Sequence, residues 1–141
     1  MQALGNIRIH GMNEKFDHGT GFTKSQVNHR YEGDIEAEAR FECITYAPGA
    51  ALAKFVGLEF LSGRVGDRTG GFILQHVGSI DAGRSESVLN VLSGSGTGEL
   101  TGIKGHGRST SSGADGQSAH MLLEYSFDDT PPAPEAQRNT P

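Results

Sequence analysis

Tryptophan is absent from this chain of 141 residues, cysteine occurs once, and only Pro48 of the five prolines lies before residue 131. The single Cys43 cannot form an internal disulfide, so packing must hold the fold, and a reducing cytoplasmic compartment is the simplest setting. No wholly apolar run exceeds a few residues, far below the ~20 that a spanning helix needs, so no membrane partner is expected. Residues 1–20 lack the basic region and apolar stretch that mark a secretory leader. The 12 basic residues are scattered singly among 17 acidic ones, for a net charge of -5. Without a basic stripe to neutralise phosphates, nucleic acid is not expected as a partner.

Chemical signatures are also missing. None of the six histidines forms H-x-H or H-E-x-x-H, which leaves open only a metal site assembled from distant strands; no metal is expected. Gly94-Ser95-Gly96-Thr97-Gly98 lacks the GK[ST] step of a phosphate loop and the spacing of a dinucleotide fingerprint, so it reads as a turn and no cofactor is expected. No G-x-S-x-G elbow offers a nucleophilic serine.

What the chain has is glycine: 21 residues, roughly twice the ~7% usage of an average protein. Spread without a G-X-Y period, they point to many short strands joined by tight turns. From Asp34 to Tyr46 the alternation is clean, with Ile35, Ala37, Ala39, Phe41 and Cys43 on one face and Glu36, Glu38, Arg40 and Glu42 on the other. A second strand is expected over Leu52–Arg64. Four more are read in GFILQHVGSI, SESVLNVLS, Lys104–Ser112 and AHMLLEYSF, with Gly66-Asp67 and Gly70-Gly71 as the turn before the first of these. NIRIHGM and FTKSQVNHRYEG supply two earlier strands. No segment keeps a helical period over ten residues. The fold class is therefore all-β: an antiparallel β-barrel of about eight strands, lipocalin-like, with short turns and little helix, over residues 1–128. Residues 129–141 read as a disordered Pro-rich tail.

Two polar residues sit on otherwise apolar strand faces. Glu59 shares one with Phe55 and Leu61, and His76 shares one with Phe72 and Leu74. If those faces line the barrel, desolvation raises the pKa of Glu59 and lowers that of His76, poising both for proton transfer. The bland reading is a reversed parity with both at the surface, or two core residues that are simply hydrogen-bonded. Phe41, Phe55, Phe72, Leu74, Met121 and Leu123 would form the walls, with Tyr46 and Tyr125 as phenolic donors at the rim. Cys43 reads as an inert buried thiol. On Leu52–Arg64 the outer row Val56, Leu58, Phe60 is apolar too. It must be covered, and a homo-oligomer, a dimer for preference, is expected.

YEGDIEAEA (31–39), KFVGLEFLSGRVGDRTGGFILQHVG (54–78) and GSGTGELTGIKGHG (94–107) together resemble a bacterial family of small proteins carried as a domain of unknown function, whose known structures are allene oxide cyclase-like β-barrels. The resemblance covers roughly residues 3–127. Gly96-Thr97-Gly98-Glu99-Leu100-Thr101-Gly102 is similar to the G-T-G-x-[FL]-x-G turn of allene oxide cyclases and plant dirigent proteins. It implies a barrel with an apolar pocket that works by enclosing and steering a small molecule, without a metal; it transfers no active-site set. VLNVLS departs from the relatives, where a Val-Pro step is expected, and implies a reshaped AGRSES turn. Two functions follow. One is a cofactor-independent isomerase, cyclase or lyase acting on a small, largely apolar molecule with Glu59 and His76 as the acid/base pair; the other is a non-catalytic carrier using the same pocket.

Overall fold

The computed structural model describes residues 1–49, 51–112 and 119–128 and shows eight antiparallel strands closed into one barrel. In chain order they are β1 (Gln2–Asp17), β2 (Phe22–Gly33), β3 (Ile35–Tyr46), β4 (Leu52–Val65), β5 (Arg68–Asp81), β6 (Arg84–Val91), β7 (Ile103–Ser111) and β8 (His120–Phe127). Each strand pairs with its chain neighbours, and β1 closes the ring on β8. The all-β, eight-stranded antiparallel barrel expected from the alternation is the fold. A single 3-10 turn, Gly98–Leu100, is the only helical piece among the described residues, so none of their helices is long and apolar enough to cross a membrane. The Pro-rich segment 129–141, expected as a tail, lies outside the described residues.

The period-two pattern sets which side of each strand is wet. On β3 the alanines 37 and 39 are buried while Glu38 and Arg40 are exposed. On β4 the pattern alone is ambiguous, since Val56, Leu58 and Phe60 are as apolar as their neighbours. Pairing with β3 decides it: Leu61 stands opposite Ala39 and Glu59 opposite Phe41, so Phe55, Glu59 and Leu61 point inward. A slip of one residue would bury Leu58 and Phe60 and expose Glu59, and the unambiguous faces of β3 forbid it.

One end of the barrel is packed solid. Ile35, Leu61, Phe72, Leu74, Met121 and Leu123 are at most 1% exposed there, each stabilising the fold by about 1.5–3 kcal/mol of burial. The β6–β7 connection folds over this end as a plug. β6 stops pairing with β5 at Leu74, which leaves the β5 amides before it that point away from β4 without a strand partner. Side chains of the connection replace that partner: Ser95 Oγ accepts from Ile73 N at 3.0 Å, Thr97 Oγ1 from Gly71 N at 3.0 Å and Glu99 Oε1 from Thr69 N at 2.9 Å. Leu100, at 1% exposure, seals the core beneath. Gly70 and Gly71, read as turn residues, instead lie inside β5, and a Cβ on Gly70 would stand 2.0 Å from the Thr97 carbonyl.

The β1–β8 seam is short. It holds five pairs, from Gln2↔Glu124 to Asn6↔His120, followed by a bond from Ile7 N to the Ala119 carbonyl. Past that point β1 pairs only with β2 among the described residues.

At the opposite end β5 and β6 are joined by Ala82-Gly83, with φ of 52° and 81°. Two positive φ values are what a type I′ two-residue hairpin requires, and β6 then runs from Arg84 to Val91. Alanine is strained there where its glycine partner is not. Replacing Ala82 by Gly or Asn is expected to raise stability by about 0.5–1 kcal/mol in urea unfolding; a loss of stability would refute the strain.

Candidate functional site

Above the packed core the lumen opens into a cavity of about 250 Å³, reaching toward the β3–β4 and β5–β6 hairpins, with Thr45, Ile80 and Ser85 among its lining residues. Its floor is a buried polar cluster. Glu59 of β4 is 0% exposed, and its carboxylate receives three donors. Oε2 accepts from His29 Nε2 at 2.5 Å and from the Tyr31 hydroxyl at 2.6 Å, and Oε1 accepts from His76 Nε2 at 2.6 Å. Beyond His76, its Nδ1 lies 3.1 Å from Ser87 Oγ.

Local sequence makes this convergence possible. β3 runs between β2 and β4, and Ala37 and Ala39, opposite Tyr31 and His29, are small enough for those side chains to reach across to Glu59. Gly57 and Gly78 leave room for aromatic rings. A Cβ on Gly57 would come 2.7 Å from Phe41, and one on Gly78 2.5 Å from Phe55. The Phe41 ring then lies 4.5 Å from the His76 ring, centroid to centroid, and edge-on to Phe55.

Burial by itself would push the Glu59 carboxyl up, the shift the sequence led us to expect. The hydrogen bonds from His29 and His76, with their charge, outweigh it and bring the pKa down to about 2. The expected rise is thus reversed. Burial first, then the Glu59 charge and hydrogen bond, push the Tyr31 phenol well above its ordinary range, so Tyr31 remains a donor. An ionised carboxylate only accepts, which places a hydrogen on Nε2 of both histidines. In a neutral imidazole the lone pair then falls on Nδ1. That of His76 faces Ser87, while Nδ1 of His29, which lines the cavity, has no hydrogen-bond partner among the described residues.

The residues singled out from the sequence fall into four places. Phe41, Phe55 and His76 line the cavity, and Glu59 lies directly beneath it. Phe72, Leu74, Met121 and Leu123, expected as walls, belong to the packed core below, because their strands place them nearer the plug. Tyr125 also faces that closed end, packed edge-on against Phe127, and is no rim donor. Tyr46 has the outward parity of β3; it is 46% exposed and packs against Phe22 outside the barrel. Cys43 is half-buried and lines the cavity, its thiol pushed up by burial. His29, Tyr31 and Ser87 were not anticipated. The one signal for the first two was their shared parity with Val27 on β2, and a polar pair on a strand face reads equally well as wet. Among the described residues no group of three or more His, Cys, Asp or Glu side chains is arranged to hold a metal ion.

Over residues 7–125 the sequence matches the family described as proteins of unknown function, DUF3224. The chain belongs to that family. A DUF3224 protein of unknown function from Shewanella oneidensis MR-1, solved by crystallography, is 24% identical, with 92% of this chain and 98% of that one covered, and superposes with a TM-score of 0.77. That likeness establishes a shared DUF3224 barrel. No curated protein matches. The family name carries no reaction, so the chemistry rests on the residues.

A carboxyl with its pKa lowered on folding confers stability that is complete above its unfolded value, near 4.5, and is lost as pH falls through about 2. The wild-type urea midpoint is therefore expected to drop more steeply from pH 5 to pH 2 than that of Glu59→Gln, which also starts lower for want of one acceptor. Parallel curves for the two proteins would show that Glu59 is not held ionised.

Proposed function

We propose that this DUF3224 barrel is a cofactor-independent enzyme that moves protons on a small, largely apolar molecule enclosed in its lumen, as an isomerase, cyclase or lyase. The observation that carries the reading is the buried Glu59 carboxylate shared by two histidines on the floor of a cavity. Orientation of imidazoles by a fixed carboxylate is how proteins set both the tautomer and the aim of a general base. Glu59 does not line the cavity, so it acts as a positioning residue and the histidines meet the ligand. His29, with its free Nδ1, takes a proton from carbon; His76, in the form that carries a proton on Nδ1 as well as Nε2, gives the Nδ1 proton to Ser87 as Ser87 gives its own to the ligand oxygen, and water entering the open lumen resets both rings. The two transfers leave the ligand isomerised and uncharged. Apolar walls from Phe41 and Phe55 supply enclosure, the same strategy that the resemblance to allene oxide cyclases implies.

A carrier would need the cavity and not the paired bases, and exchange chemistry separates the two. In D₂O the wild-type protein is expected to accelerate loss of the α-hydrogens of 2-indanone, followed by NMR. Glutamine at position 29 or 76 can still donate to Glu59 but offers no basic nitrogen, so His29→Gln and His76→Gln are expected to slow exchange by about 10²-fold or more. No acceleration by the wild type, or full acceleration by both variants, would leave the carrier.

The outer face adds a proposal of self-association. Ile44, Val56, Val77 and Val88 are direct cross-strand partners on β3 to β6 and form one outward row, each between 40% and 52% exposed. Leu58 and Phe60 extend it along β4. A contiguous apolar patch of this kind marks an interface, and a second copy presents the same row. Light scattering is expected to give twice the 14.9 kDa of one chain, falling to one chain in Val56→Glu/Val77→Lys. A monomeric wild type would remove the interface.

A further inference from the structure

We propose that the cavity takes an uncharged apolar ring system bearing oxygen substituents along one edge, and that four lumenal serines read that edge. The inference rests on the cavity being a ligand site, as argued above. Ser87 of β6 is the direct partner of Ser109 of β7, and Ser85 is the partner of Ser111. All four line the cavity, while Glu86, between the two on β6, is exposed outside. Partners across a pair of strands stand ~5 Å apart, and successive residues on one face ~7 Å. The hydroxyls therefore form a patch of roughly 5 by 7 Å on one side of the lumen.

The other side is different in kind. β2 and β3 lie four strands round the ring from β6 and β7, and they present Val27 and Phe41, with Phe55 next to them on β4. A ligand between these walls meets aromatic and aliphatic carbon on one flank and hydroxyls on the other. A purely apolar guest would strip water from the serines and return nothing. An anionic guest meets no Lys or Arg among the lining residues and does meet Glu14. Hydroxyl and carbonyl oxygens satisfy both conditions, because each serine can donate or accept. An oxygen bonded to Ser87 also stands at the head of the Ser87–His76–Glu59 chain, so the patch would deliver it to the group that exchanges its proton.

Naphthalene and 2,3-dihydroxynaphthalene, which share a ring system and differ by two oxygens on one edge, test the patch. Binding is followed by titration of backbone amide NMR shifts of the full chain, with shifts at Ser85, Ser87 and Ser109 locating the probe. Wild-type protein is expected to bind the diol at least about tenfold more tightly, the worth of one net hydrogen bond. Ser85→Ala/Ser109→Ala/Ser111→Ala, which leaves the Ser87–His76 bond intact, is expected to bring the two affinities within about threefold while naphthalene still binds, which also reports that the barrel is folded. Equal affinities in the wild type, or a preference that survives the triple substitution, would overturn the patch and leave the cavity as a ligand site. Binding of neither probe would overturn both.

Discussion

A carboxylate without water must be given its hydrogen bonds by the protein, and Glu59 imposes that demand at the middle of the barrel. The hydrogen bonds and charge of His29 and His76 bring its pKa down where burial alone would push it up, and Tyr31 supplies a third donor. Meeting the demand determines much of the surrounding sequence. β2 must present His29 and Tyr31 inward, β3 must be small at positions 37 and 39 so that they can cross it, and β5 must bring His76 from the far side. Removing any one donor would leave the carboxylate short of a partner, so the cluster stands or falls as a unit. A chain that needed only a stable core would do as well with packed aliphatic residues there, and the proposed proton transfer rests on that contrast.

The barrel divides its two tasks between its two ends. Toward the plug, aliphatic and aromatic side chains fill the lumen and provide the stability. Toward the hairpins β3–β4 and β5–β6 the same inward positions carry smaller or polar residues, Thr45 on β3 and Ser85 on β6, and the lumen is left open. The GSGTGELTG segment belongs wholly to the stabilising end. Its Ser, Thr and Glu side chains stand in for a missing strand partner, so the most recognisable stretch of the sequence lies across the packed core from the cavity. Likeness in that segment therefore marks a shared way of closing a barrel and says nothing of what the lumen holds.

How much was legible beforehand follows from the period of a strand. Alternation in IEAEARFEC made β3 unmistakable, and parity put Glu59 on one face with Phe55 and Leu61 and His76 on one with Phe72 and Leu74, but which of those faces is inward came only from pairing with β3. Parity says nothing about depth, however. Phe72 and Leu74 share a face with His76 yet lie below the cavity, because position along the strand decides which layer a residue joins, and that depends on register with β4 and β6. Register is a tertiary property. It also brings His29 of β2 and Ser87 of β6 to Glu59 and His76, contacts between segments with no local signal of each other. Tyr46 and Tyr125 illustrate the two failures separately: one has the wrong parity, the other the right parity at the wrong end.

The seam that shuts the ring joins Gln2 to Glu124, 122 residues apart along the chain, through only five pairs. Every other strand pair is a hairpin between chain neighbours and can form as soon as its two strands exist, except that β6 and β7 must also fold their long connection. Loop-closure entropy thus falls almost entirely on one step. The lumen is enclosed only where the first strand meets the last, whereas the Glu59 cluster is built within β2 to β5, strands joined by local hairpins. The same economy holds in the folded state. Breaking five pairs reopens the ring without melting any hairpin, because β1 stays paired with β2 and β8 with β7, so the seam is the strand boundary held by the fewest pairs in the barrel.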